Sequence, residues 1–149
     1  MTDSTETRKL SAVLFSNIHG YSRLMQSDES ATLKLLDEHN KLLFPIIESK
    51  NGKVIKTIGD AILAVFDSCT MAMLAAIEMQ EAIKARAAQI PQNQTFRIRI
   101  GIHLGEIVFK EADIFGNGVN IAARLQPLAD PGGICISHSL YEQIQSLHD

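Results

Sequence analysis

Two periods of apolar and polar positions alternate along this chain, and the switches between them outline its elements. Residues 10–15 are a short apolar run, which predicts a buried strand. Residues 17–22 follow as a turn pivoting on Gly20. Ser27 and Asp28 are N-cap residue types, and Leu33, Leu36, Leu43, Ile46 and Ile47 fall at helical spacing. Together they predict a helix running toward Lys50. Pro45 predicts a kink or an early break, because proline removes a donor and crowds the preceding turn. Asn51-Gly52 ends the element. Residues 53–58 and 61–66 are β-rich runs separated by Gly59-Asp60, the pattern of a hairpin. Residues 68–88, rich in Ala, Met, Glu and Lys, predict another helix, and residues 89–95 a polar loop around Pro91. Phe96, Ile98, Ile100, Ile102 and Leu104 alternate with Arg97, Arg99, Gly101 and His103, the period of a strand with one buried face. Gly105 is read as the turn into residues 106–110, a second hairpin. Residues 116–128 predict a helix, punctuated by Pro131-Gly132-Gly133. Residues 134–137 predict a last short strand before a helix from Ser139.

This order contains the βαββαβ arrangement of a ferredoxin-like sheet, with additional strands and helices. The expected class is therefore α+β, an antiparallel-rich sheet with helices packed on it. A length of 149 residues fits one domain. Residues 1–8 read as a disordered lead-in and residues 9–149 as the domain.

Composition narrows the function classes. Apolar residues at 46% and charged residues at 21% exclude a disordered, collagen-like or coiled-coil chain. Seventeen acidic against fourteen basic residues give a net charge of −3. Non-specific nucleic-acid binding rests on clustered Lys and Arg, so no nucleic-acid partner is expected. The strands also lack the exposed aromatic pair on which ferredoxin-like RNA binders stack bases. Small phosphate ligands need only a few local charges and stay open. Cys69 and Cys135 have no partners at metal-finger spacing and read as buried free thiols, which fits a reducing compartment. The polar start is not a secretory signal. The longest apolar stretch, around residues 69–77, is too short to span a bilayer. The expectation is a soluble, cytoplasmic segment, any membrane attachment lying in sequence outside it.

Several segments carry side chains suited to chemistry, each with an ordinary reading beside it. Asp60 in a tight hairpin is what turn chemistry alone requires. Asn17 caps or turns a strand end equally well. Residues 17–21 present backbone N–H groups at a helix start, a natural phosphate cradle. Asn120 and Arg124 are four apart and share a helix face, with Val119, Ile121, Ala122 and Leu125 behind them. A fixed Arg beside an amide also suits charge on a transferring phosphoryl group. Lys56, four residues before Asp60, reads alone as an exposed strand residue.

Taken together, these segments resemble a known family. Leu14-Phe15-Ser16-Asn17-Ile18-His19-Gly20-Tyr21-Ser22 resembles the first signature of the class III nucleotidyl cyclases, and Lys56-Thr57-Ile58-Gly59-Asp60-Ala61-Ile62-Leu63-Ala64-Val65-Phe66 the second. Arg99-Ile100-Gly101-Ile102-His103-Leu104-Gly105 is similar to the next signature strand, and residues 113–124 to the fourth signature, in the family's order. The resemblance implies conversion of ATP to cyclic AMP and pyrophosphate with two magnesium or manganese ions. Asp60 falls at one of the family's two metal aspartates. Lys56 and Asp113 fall at the purine-reading pair, Asn120 at the ribose-orienting position and Arg124 at the position that stabilises the transition state. Ile18, His19, Gly20 and Tyr21 fall in the phosphate loop. Lys donates to an adenine ring nitrogen and Asp accepts from the adenine amino group, so the pair implies ATP; a guanine site commonly has Glu and Cys there.

The resemblance also implies a head-to-tail homodimer, with Asp60 from one copy and Lys56, Asp113, Asn120 and Arg124 from the other. A regulatory domain is expected outside this segment. Two departures qualify the picture. The family's other metal aspartate falls at Asn17, which offers a carbonyl oxygen but no charge, so low or absent activity is expected. Family members usually continue into further strands bearing a Lys for the triphosphate, and these are expected to be missing here. The alternative reading is a silent cyclase-homology domain that dimerises or binds nucleotide as a regulatory module.

Overall fold

The computed structural model of the chain describes residues 6–145. The chain runs β1 (Thr7–Ile18), α1 (Tyr21–Ser27), α2 (Glu29–Ser49), β2 (Lys53–Ile58), β3 (Ala61–Phe66), α3 (Cys69–Ala87), β4 (Ile98–Lys110), β5 (Asp113–Phe115), α4 (Asn117–Leu125), β6 (Ile134–Ile136) and α5 (His138–Ile144). β1 lies mid-sheet in the order β2-β3-β1-β4-β5, with all those neighbours antiparallel. β2-β3-β1-β4 is the expected ferredoxin-like core. β6 adds in parallel to β4, opposite residues 100–102, while β5 pairs with residues 108–110 farther along the same strand.

Alternation along β1 and β3 divides the apolar residues between two faces. Ala12, Leu14, Ile62, Ala64 and Phe66 pack under α2, α3 and α5 with Ile98, Ile100 and Ile102. Val13, Leu63, Val65 and Ile107 point the other way, toward Ile114 of β5 and Ala122 of α4. Full burial of each Leu or Ile contributes roughly 1.5–3 kcal/mol. The helix face, with more of them, is therefore the main source of stability. On the other face the sheet curls until its outer strands meet, Lys56 of β2 touching Asp113 of β5.

The helix ends follow from local chemistry. Asp28 caps α2 by accepting from the Ala31 N–H at 3.1 Å, and Ser68 caps α3 by accepting from Met71 N–H at 3.1 Å. Ser27 instead ends α1. α2 runs through Pro45 without breaking, because Leu43, Ile46 and Ile47 anchor it to the sheet on both sides of the missing hydrogen bond. It stops in a Schellman motif, with Asn51 at φ 64° and the Gly52 N–H reaching back to the Ile47 carbonyl at 3.0 Å.

Four sequence expectations are corrected. β1 begins at Thr7, so Thr7 and Arg8 belong to the sheet rather than to a lead-in, pairing with Phe109 and Val108; residues 1–5 lie outside the described residues. Gly105 is no turn. β4 continues through it, because the long β1 offers a pairing partner along its whole length, Ser11 facing Gly105 itself. The second hairpin turns instead at Glu111 and Ala112, both in the left-handed region at φ 53° and 66°. Cys69 and Cys135 are free thiols but only half-buried.

Candidate active site

Two separate clusters of candidate side chains form. The first surrounds a cleft of about 450 Å³ where β1 ends and the β2–β3 hairpin turns. Asn17, Asp60, Tyr21, Arg23 and Arg99 line it. Asp60 does not bond its own turn. Its Oδ2 accepts from the Ile18 N–H at 2.6 Å, which ties the hairpin tip to β1. The negative charge of Asp60 adds to burial in raising the Tyr21 hydroxyl above its ordinary pKa, burial being the larger cause.

The expected phosphate loop, residues 18–21, borders this cleft, but two of its donors are engaged elsewhere. The Ile18 N–H goes to Asp60, and the His19 N–H goes to the Arg97 carbonyl at 2.8 Å. Asn17 is engaged as well. Its Oδ1 accepts from Gln126 Nε2 at 2.6 Å, and Gln126 is 3% exposed. Gln126 follows directly on α4, where the helix lies so close to β4 that a Cβ on Gly101 would come within 2.5 Å of the Gln126 nitrogen. Only glycine lets the two elements meet there.

Arg99 and Gln126 carried no role in the sequence reading. Arg99 pairs in register with Asn17, and its Nε is buried without a partner. The alternation of residues 96–104 already put Arg99 on the polar face of its strand. What was not readable is which β1 residue it would stand beside. For Gln126 the sequence held no signal, since its partner is 109 positions away.

The second cluster lies where the curled sheet closes. Lys56 Nζ donates to Asp113 Oδ2 at 3.0 Å, with the two side chains 41% and 31% exposed. Asp113 Oδ1 also accepts from the Ile114 N–H at 2.7 Å. The Lys56 hydrogen bond, helped by this second one, holds the Asp113 carboxyl below its usual range. Asn120 and Arg124 stand exposed on α4, Arg124 in its last turn where the helix dipole favours a cation. None of these four borders the Asn17–Asp60 cleft. The structure thus joins Asn17 with Asp60 and Lys56 with Asp113, and keeps the two sets apart within one chain.

Metal-binding capacity is limited. Among the described residues, no three His, Cys, Asp or Glu side chains come together as a ready-made site. Among the described residues, Asp60 is the sole carboxylate bordering the cleft, with one oxygen beyond the Ile18 contact. That suits a single ion shared with phosphate oxygens. It does not suit a pair.

The fold and motif placement agree with comparison to known proteins. The family description "Adenylate and Guanylate cyclase catalytic domain" matches residues 4–148, and the chain belongs to that family. Its whole length is 38% identical to "Putative adenylate cyclase 3" of Rhizobium meliloti, of which it spans 26%. Among solved structures it resembles an adenylate/guanylate cyclase/hydrolase from Silicibacter pomeroyi at 38% identity and TM-score 0.88, covering 95% of this chain and 83% of that one. The adenylyl cyclase CyaB from P. aeruginosa follows at 27% identity and TM-score 0.84, covering 95% and 83%. The described residues contain no helix long and apolar enough to cross a membrane.

Proposed function

We propose that this domain is an adenylate cyclase, closing ATP to 3′,5′-cyclic AMP with release of pyrophosphate, and that Asn17 holds its turnover low. The observation that carries the reading is the Lys56–Asp113 pair. Two residues 57 positions apart meet as one donor and one acceptor, half-exposed and open to exchange each other for a base. Lys56 donates to the adenine ring nitrogen, and Asp113 accepts from its amino group. Asn120 orients the ribose. Arg124 stabilises the negative charge that develops on the phosphoryl group as the ribose oxygen attacks.

The separation of the two clusters supports a site assembled from two head-to-tail copies. One contributes the cleft with Asp60, Asn17 and Arg99; the other contributes Lys56, Asp113, Asn120 and Arg124. A divalent ion, magnesium or manganese, held by Asp60 and the phosphates would neutralise phosphate charge when bound. The R. meliloti relative is much longer than this chain, which supports a regulatory region elsewhere in the full protein.

The test is cyclic nucleotide formation by the purified chain with manganese and either ATP or GTP. Product from ATP and not GTP is expected. The amide at position 17 favours a second reading, a module that dimerises and binds nucleotide without turning it over. That reading predicts ATP binding with no product even when Asp is placed at position 17, and efficient turnover by the chain as it stands rules it out.

A further inference from the structure

The Asn17–Gln126 contact changes what the cleft can hold. An amide has one carbonyl oxygen and one NH2 group. The Asn17 oxygen already accepts from Gln126 at 2.6 Å, which leaves it one lone pair and no charge for an ion, while its NH2 is free to donate to an anion in the cleft that Asn17 lines. A metal ion needs an oxygen at that position, whereas a phosphate oxygen needs a donor. The remaining charges point the same way. Asp60 is one carboxylate, already accepting from Ile18. Arg99, in register with Asn17, has a buried Nε without a partner, and Arg23 adds another cation to the same cleft. Two positive side chains against one negative one make a cleft for an anion carrying at most one divalent ion.

We propose that Gln126 is a positioning residue that holds the Asn17 amide with its NH2 toward the cleft, so that this position binds a phosphate oxygen of a nucleoside triphosphate where a second metal ion would otherwise sit. This rests on the nucleotide reading above and specifies its metal content. Gln126 is suited to the task because it is fixed from several sides. It is buried, it caps α4, and its backbone is pressed onto Gly101. Asp at position 17 would take the same hydrogen bond with one oxygen and leave a second, charged oxygen free for an ion.

The test counts Mn2+ by electron paramagnetic resonance at saturating α,β-methylene-ATP, with nucleotide binding measured separately by calorimetry. The expected result is one tightly held Mn2+ per chain in the protein as it stands and two in Asn17→Asp. In Gln126→Met the Asn17 oxygen is released, and affinity for a second ion is expected to rise about 10-fold, the size of effect that supporting residues have on metal sites. Should the new side chain unfold that variant, Gln126→Glu, which can only accept from the Asn17 NH2 and so frees its oxygen, takes its place; unchanged affinity for a second ion in the folded Gln126 variant overturns the role of Gln126. Two ions in the unaltered chain, or one in Asn17→Asp, overturns the proposal. Nucleotide binding without this difference in ion count overturns it while sparing the nucleotide reading. Absence of nucleotide binding in all three proteins removes both.

Discussion

The cleft beside Asn17 and the closed edge of the sheet at Lys56 differ in how their polar groups are engaged. At the edge, a cation and an anion face each other half-exposed, so parting them would leave neither charge buried. At the cleft, a buried amide holds another amide, and the Asp60 carboxylate is tied to a backbone N–H. Desolvated groups of this second kind are costly to leave unpaired, so they stay where they are. The contrast teaches that the two clusters hold their polar groups independently, so under the proposed reading base selection and metal chemistry can be altered separately. They sit on different strands, and one has kept its charges while the other has lost one.

The sharpest break of the cleft is Asp60→Asn. It removes the cleft's carboxylate while leaving an oxygen for the Ile18 N–H. Mn2+ affinity in the presence of nucleotide should fall by about 100-fold or more, beyond the range seen for supporting residues. Isothermal titration checks this, and unchanged affinity would show that the ion sits elsewhere. At the edge, Lys56→Glu combined with Asp113→Cys should shift the ATP-over-GTP binding preference by about 10–100-fold, as expected for replacing one or two hydrogen bonds. Competition binding measures it, and a constant ratio would remove these residues from base reading.

Gly101→Ala strikes at the helix–sheet contact that places Gln126. A Cβ there would lie 2.5 Å from the Gln126 nitrogen and 2.8 Å from the Ala122 carbonyl. Denaturant unfolding should show a loss of about 1–3 kcal/mol, the usual range for overpacking. The Lys56–Asp113 pair should survive, so base preference should stay fixed while metal binding changes. The smallest expected effect is on acid stability. His39 is fully buried, and burial holds its ring below the ordinary pKa of 6.5, outweighing the hydrogen bond with Asn40 and the negative charge of Asp60 that oppose the shift. A depressed histidine favours folding while it stays neutral. Its contribution is full above the unfolded value and declines as pH falls below it, because the unfolded chain then binds the proton more readily. Melting temperature should drop between pH 7.5 and 5.5, and His39→Leu should reduce that drop.

The legible parts of the fold were those fixed by neighbours in sequence. The first hairpin came out at the residues expected, because β-rich runs flank Gly59, whose φ of 62° needs glycine. The two long helices were marked by their caps and composition. Gly105 misled because β1 pairs with β4 straight through it, with Ser11 facing Gly105, so a residue type common in turns sits mid-strand. The turn that replaced it uses Glu111 and Ala112, residue types that carry no turn signal. At the candidate site, the sequence named Lys56, Asp60 and Asp113, and the fold pairs Lys56 with Asp113 and sets Asp60 in the cleft. The sequence reading missed Gln126, whose contact with Asn17 arises only when α4 docks on the sheet. Leu33, counted in the core stripe of α2, is 49% exposed, since a stripe fixes a face but not how far the neighbouring elements reach across it.

The most direct test of the central claim is the rate of cyclic AMP formation from ATP and manganese by the chain as it stands and by Asn17→Asp, under identical conditions. The account predicts a rise of about 10-fold or more in the variant, the scale of restoring support to a metal site. Equal rates in the two proteins would contradict it, because the amide at position 17 would then not be what limits this domain.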